Sequence, residues 1–459
     1  MTAQKSLGAD FTEGAVMPML LRFFVPFLLA NLLNSIYNMV DTIIIGQFVG
    51  SNGIVAVTMG GKMLNIFTNI GIGFAGGGQI LISQLAGAHR RGEYNRTIGT
   101  LFTEMLALAV LCAAGTLVFA GDILRLLNTP EDAFAGASAY LRITSLGLPL
   151  IFGYNAVSSV LRGMGDSKRP LIFIAVAAAF NLVGDLIFVV VFELGAAGTA
   201  IATVLGQGLS LAFSVVFLYR RRERFGFDFR LRSFAVDWQR LRLMVRLGLP
   251  VAVRGIFITG TQLWMMGYVN LFGINESAAY AISDKFYHLA NIFSSSVMQS
   301  GSTLVAQNIG AERRDRVKTI LRCTGALTIA FALLLSALSL ALPRFIFGLF
   351  TTDEAVIACA PRFMPVICLI YLLSALLFFD SVVTGTGFTL LSMIGGILDG
   401  LVLRVGFSFF FAYACDLGVL GFLLGDALAR LGPILLDAVY YFSGAWKRRR
   451  RLLEQTEAK

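Results

Sequence analysis

The chain reads as long apolar runs separated by short polar breaks. Twelve runs are long enough, at about 20 residues or more, to cross roughly 30 Å of hydrocarbon as helices. They fall at 18–46, 54–84, 97–120, 137–162, 170–192, 196–219, 243–272, 278–308, 318–342, 357–387, 389–413 and 417–445. Only the stretch 220–242 is long and polar enough to act as a linker. The first seventeen residues hold no apolar core ahead of a cleavage site, so the first run reads as a retained helix.

The pattern is duplicated. Gln84-Leu-Ala-Gly87-Ala88-His-Arg90-Arg91 returns 223 positions later as Gln307-Asn-Ile-Gly310-Ala311-Glu-Arg313-Arg314, and Arg22-Phe-Phe-Val-Pro26 returns 224 positions later as Arg246-Leu-Gly-Leu-Pro250. Six runs fall in each copy, and an even number returns the chain to the same side of the bilayer, so the repeat is parallel rather than inverted. The expected fold is an all-α membrane protein, with twelve transmembrane helices in two pseudo-symmetric six-helix bundles. Residues 1–219 form the first lobe, 220–242 a cytoplasmic linker, 243–445 the second lobe and 446–459 a basic cytoplasmic tail.

Composition agrees: 57% hydrophobic and 14% charged residues leave too little polar surface for a soluble globule. The basic residues set the orientation. Arg90, Arg91 and Arg96 follow the second run, Lys168 and Arg169 the fourth, Arg220 to Arg224 the sixth, Arg313 to Lys318 the eighth and Lys447 to Arg451 the last, all on one face. That face is expected to be cytoplasmic, with both termini inside a cell (inner) membrane. The net charge of +10 is dispersed among these loops and has no soluble basic domain to carry it, which argues against a nucleic-acid partner. Cys112, Cys323, Cys359, Cys368 and Cys415 have no CxxC spacing, so neither a disulfide framework nor a metal centre is indicated.

Ionisable side chains inside apolar helices cost at least about 2.5–3.5 kcal/mol each and mark candidate chemistry. Asn34, Tyr37, Asn38 and Asp41 fall on one stripe of the first run, and Asn181 and Asp185 stand one turn apart on the fifth. Counted at about 1.5 Å per residue from the cytoplasmic ends of their runs, both acids reach the outer half of the membrane. Thr203 lies at a comparable level and Asn155 deeper in the same lobe. Two carboxylates in a poorly solvated site cannot both ionise easily, so the group is expected to take up and release a proton or to hold a small hard cation such as Na⁺. The plain alternative is that Asp41 bonds Tyr37 or Asn38 and only fixes packing. Asp426 and Arg430, four apart, read as an ordinary intrahelical pair. Asp380 and Asp399 could be neutralised by Arg254 or Arg404, while Glu104 and Asp284 have no evident role. Pro26 and Pro250 each remove a backbone donor and are candidate hinges, static kinks being the alternative. Tyr37, Asn34, Asn38, Met265 and Asp380 are the expected lining of a cargo cavity; methionines would suit a greasy cargo, although packing accounts for most of them.

Several of these segments together resemble the multidrug and toxic compound extrusion (MATE) transporters over essentially the full chain. They are Pro26 to Asp41 with Gly46 beyond, the Gln84-x-x-Gly87-Ala88-x-Arg90-Arg91 loop and its copy, and Leu161-Arg-Gly163-Met-Gly165-Asp166-Ser-Lys168-Arg-Pro170 ahead of Asn181 and Asp185. The resemblance implies two six-helix lobes around a central cleft that opens alternately to each side. It implies exchange of inward-moving ions for outward-moving organic cations. In the prokaryotic branch, Asp41, Asn181 and Asp185 match the coupling site, with Thr203 and Asn155 matched less closely; Tyr37 matches a cavity residue and Pro26 a bend point. Another branch keeps its key acids in the second lobe, near Asp380, but the motif around Asp380 departs from that pattern.

The expected function is therefore a cation-coupled antiporter, with protons favoured over Na⁺ because no additional acid is fixed at the site. Its expected partners are small organic cations and the lipid bilayer, and it is expected to work as a monomer without an organic cofactor. A lipid-linked oligosaccharide flippase of the same superfamily would line its cavity with several arginines, for which Arg254 and Arg404 are the candidates. A membrane-embedded enzyme would need a His, Cys or Ser cluster that the sequence lacks. A passive scaffold would leave the acids at matched depth unexplained.

Overall fold

The computed structural model describes residues 8–127, 129–449, 451, 452 and 454. Its frame is a series of twelve long helical rods. The first six are α1 (Val16–Phe48), α2 (Ser51–Gly87), α3 (Arg91–Leu126), α4 (Glu131–Gly163), α5 (Lys168–Val191) and α6 (Gly195–Arg220). The second six are α7 (Trp238–Val269), α8 (Ile274–Gly310), α9 (Asp315–Ala341), α10 (Ala360–Gly385), α11 (Thr389–Ala414) and α12 (Val419–Phe442). Each coincides with one apolar run read from the sequence. Ten are apolar enough to cross a membrane by composition alone; α7 and α8 are not, α8 because it carries Asp284, Lys285, His288 and many serines. Its serines are accommodated locally. Ser283, Ser296 and Ser300 each donate to a carbonyl one turn back, at 2.6–2.7 Å, so the polar groups are satisfied inside the helix.

Two compact units emerge. Among the described residues, one comprises 8–11, 25–127, 129–252, 452 and 454, and the other 12–24, 253–449 and 451. The division differs from the lobe boundaries expected at the linker, because it falls inside α1 and α7. The first part of α7 belongs with the first unit through close backbone approach: a Cβ on Gly77 of α2 would lie 2.6 Å from the Met244 carbonyl oxygen. The first part of α1 belongs with the second, where Phe24 packs edge-on to Phe293 at 5.1 Å. The chain thus passes between units within three residues of Pro26 and of Pro250, the two positions singled out as hinges.

The expected linker is fastened to the first unit rather than free. Arg240 reaches Glu93 at 2.8 Å and also pairs with Asp237, Ser233 donates to Asp228 at 2.6 Å, and Phe227 packs against Phe102 and Phe234. The run between α4 and α5 is likewise built by local chemistry. Asp166 accepts from the backbone N–H groups of Lys168 and Arg169 and so caps the start of α5, while Gly165 supplies a left-handed residue with φ +88.

Candidate functional site

The first unit brings four helices together around a buried acidic pair. Asp41 comes from α1, Asn181 and Asp185 from one face of α5, Thr203 from α6 and Tyr140 from α4. Asp41, Asn181 and Asp185 are 5%, 3% and 0% exposed. The carboxyls of Asp41 and Asp185 lie close enough to interact electrostatically. A hydrogen bond between them requires a proton on one of the two. Among the described residues neither oxygen of Asp185 has a hydrogen-bond partner, and no Lys or Arg forms an ion pair with either acid. Lys62, the one lysine within α2, forms no ion pair with either acid among the described residues.

Asn181 links the pair to α6. The amide orientation that satisfies its surroundings puts its nitrogen 2.7 Å from Asp41 Oδ1 and its oxygen 3.3 Å from both Thr203 Oγ1 and the Thr203 backbone nitrogen. Directly beyond Asp185, α5 loosens into a π-helical segment, Leu186–Val191, a feature that tends to mark functional positions. Tyr37 and Tyr140 lie within electrostatic reach of Asp41, and Tyr37 also faces Gln207. Tyr140 can sit there because α2 offers a glycine: a Cβ on Gly60 would lie 2.4 Å from the tyrosine ring.

The remaining expected site residues divide. Asn34 and Asn38 are exposed, and Asn38 donates back to the Asn34 carbonyl at 2.7 Å, so only Tyr37 and Asp41 of the polar stripe turn inward. Asn155 makes no hydrogen bond to the pair; its Nδ2 is buried without a partner among the described residues. Met265 is not a cavity residue. At 3% exposure it packs in the apolar core of the second unit with Val269 and Ala279, which is the plain outcome for a flexible thioether on a helix face. Asp380 is also closed off, at 2% exposure, by Arg254 at 3.2 Å, Ser392 at 2.6 Å and Thr384 at 3.2 Å. Glu104 remains unpartnered among the described residues, and Asp284 lies in the field of His288 and Lys285.

The second unit holds a counterpart that the sequence reading missed. A Cβ on Gly198 would meet the Phe188 backbone at 2.9 Å, and one on Gly421, 223 residues on, would meet the Phe411 backbone at 2.5 Å. The same register takes Asn181 to Arg404, Asp185 to Ser408, Thr203 to Asp426 and Gln207 to Arg430. Where the first unit has an amide, an acid and a hydroxyl, the second has a guanidinium fixed by carboxylates. Arg404 pairs with Asp399 at 2.9 Å and with Asp426, and Arg430 pairs with Asp426 at 3.1 Å. The Asp426–Arg430 pair is therefore part of an interhelical network as well as an intrahelical contact. Applying the repeat offset to α5 and α6 would have found this network, whereas Tyr140 carries no periodic signal that distinguishes it.

Comparison with known proteins follows the same duplication. The family model MatE matches residues 26–187 and 250–410, once in each half. The chain is 29% identical over 439 residues to the "Probable multidrug resistance protein YoeA" of Bacillus subtilis (strain 168), covering 93% of each chain. It is 22% identical to the "Multidrug export protein MepA" of Staphylococcus aureus (strain NCTC 8325 / PS 47), over 93% of this chain and 94% of that one. Among solved structures, an "Outward-facing conformation of a multidrug resistance MATE family transporter of the MOP superfamily" superposes with a TM-score of 0.88 at 20% identity, covering 97% and 98% of the two chains.

Proposed function

The chain belongs to the MatE family, and from that premise we propose that it exports organic cations in exchange for ions entering at the Asp41–Asp185 pair. It is a multi-pass membrane transporter and not an enzyme. Multidrug export is named for one of its relatives and multidrug resistance for another, which supports the reading. Placement in the cell membrane with both termini cytoplasmic follows from the basic loops.

The observation that carries the coupling assignment is a pair of buried carboxyls without a basic partner, braced by Asn181. In the outward-open state the pair takes an ion from outside. Neutralising the pair removes the charge that Asn181 and the two tyrosines face, these groups repack, and affinity for a cationic cargo falls. The cargo leaves outward and the ion-loaded carrier turns inward, with bending near Pro26 and Pro250 as the mechanical step. Each pH unit of gradient supplies about 1.4 kcal/mol per proton, and each charge crossing 100 mV about 2.3 kcal/mol more. One or two protons per cycle support a useful cargo gradient, and no organic cofactor is needed.

Protons are favoured over Na⁺ because, among the described residues, no acid beyond Asp41 and Asp185 is fixed at the site. In everted vesicles, Asp41→Asn should abolish drug efflux driven by an imposed pH gradient. Efflux at the normal rate would falsify the coupling assignment. Transport indifferent to pH but dependent on Na⁺ would reassign the ion.

A further inference from the structure

The second unit contains a cavity of about 170 Å³, room for on the order of five waters at about 30 Å³ each. Its wall presents three guanidiniums, Arg254, Arg404 and Arg430, with Asp399 the one carboxylate among the lining residues. The other counterions, Asp380 and Asp426, stand behind the arginines and do not line the space. Two further observations point to a ligand. Arg404 is 2% exposed, and its Nε has no hydrogen-bond partner among the described residues although the side chain lines the cavity. By the 223-residue register, Arg404 and Arg430 also stand at the positions of Asn181 and Gln207 in the acidic site of the first unit.

We propose that this cavity of the second unit holds an anionic group of the cargo, a carboxylate, phosphate or sulfonate. Three carboxylates, Asp380, Asp399 and Asp426, already pair with the three guanidiniums, Arg404 with two of them, so the cavity is not an unbalanced positive charge. What it offers is guanidinium N–H donors, including Arg404 Nε without a partner among the described residues, beside the hydroxyls of Ser294 and Tyr287. An oxyanion matches that inventory, and guanidinium forks hold such groups through paired, charge-assisted hydrogen bonds. This proposal goes beyond ion-coupled export and does not need it, because it is read by binding rather than transport.

The test uses the full-length protein in detergent and a matched pair of probes: a xanthene dye bearing a free carboxylate and its methyl ester, followed by fluorescence polarisation. Wild type should bind the acid about 10-fold more tightly than the ester, the range of one charge-assisted hydrogen bond. Arg404→Lys keeps a charge for Asp399 and Asp426 but removes the fork and Nε, and should bring the two affinities close together. Arg254→Lys supplies a second reading should Arg404→Lys fail to fold, with melting temperature as the check on both. Equal binding of the two dyes by wild type, or a preference untouched in whichever of these variants melt like wild type, would overturn the proposal. Competition separates two sources of the anion. Displacement of the dye by inorganic phosphate supports a site for small oxyanions on cargo. Displacement by dihexanoyl phosphatidic acid alone would transfer the cavity to lipid headgroups and overturn the cargo assignment.

Discussion

Gly60→Ala perturbs the acidic pair without altering any charge. The new methyl carbon would lie 2.4 Å from Cδ1 of Tyr140, against an ordinary carbon contact of roughly 3.5–4.0 Å. The ring must therefore retreat by about 1 Å, within a packed cluster that includes Ile44, Ala137 and Leu141. Overpacking of this kind costs about 1–3 kcal/mol, which is about 5-fold to 150-fold if all of it falls on the conformation that binds the ion. Gly61→Ala is the control, because nothing lies within 4 Å of a Cβ there. Both substitutions gain the same helix propensity, up to about 1 kcal/mol, so their difference isolates the contact with Tyr140. The measurement is proton-driven drug efflux in proteoliposomes with thermal unfolding in detergent alongside. Gly60→Ala is expected to melt lower than Gly61→Ala and to need a larger pH gradient for the same efflux. Identical melting and identical gradient dependence in the two variants would refute the claim that Tyr140 is held tightly beside the pair.

Thr203→Val keeps the shape of the side chain and removes the hydroxyl that engages the Asn181 amide; a loss of about 1 kcal/mol, or some 5-fold in apparent affinity for the coupling ion, is expected, read from the external pH at half-maximal efflux. Asp380→Asn strips Arg254 of its buried partner and should destabilise the solubilised protein by about 3–5 kcal/mol, seen as a lower melting temperature, whereas a side chain free in a cargo cavity would tolerate the change. In the linker, partial burial pushes the Asp237 carboxyl up, but the Arg240 backbone N–H and guanidinium outweigh it and hold it below its ordinary value. A carboxyl depressed in the folded state stabilises above its unfolded value, near pH 3.9, and that stabilisation is lost as pH falls through the depressed value. Amide protection at 226–240, relative to the unstructured exchange rate at the same pH, should therefore be high at neutral pH and fall below about pH 4; absence of protection at pH 7 would show that the linker is not fastened.

The positions of the twelve helices were legible in the sequence because hydrocarbon leaves a backbone few ways to satisfy its N–H and C=O groups, so a long apolar run that must cross it becomes a helix. The duplication was legible too, from the two Gln-x-x-Gly-Ala loops, and so were Asp41, Asn181 and Asp185, since buried acids at matched depth are costly enough to stand out in composition. What the tertiary structure decided was which polar groups meet. Helical periodicity fixes a side chain's angle about its own axis and says nothing of the neighbour it faces, so Asn34 and Asn38 share a stripe with Asp41 yet remain exposed. Met265 likewise went to the core, and Tyr140 reached the pair through the gap left by Gly60 on another helix. Arg404 and Arg430 looked like local ion-pair partners until packing set them around one cavity, because contacts between helices depend on close approaches at small residues such as Gly421 and Gly425 of α12, which let its backbone meet that of α11.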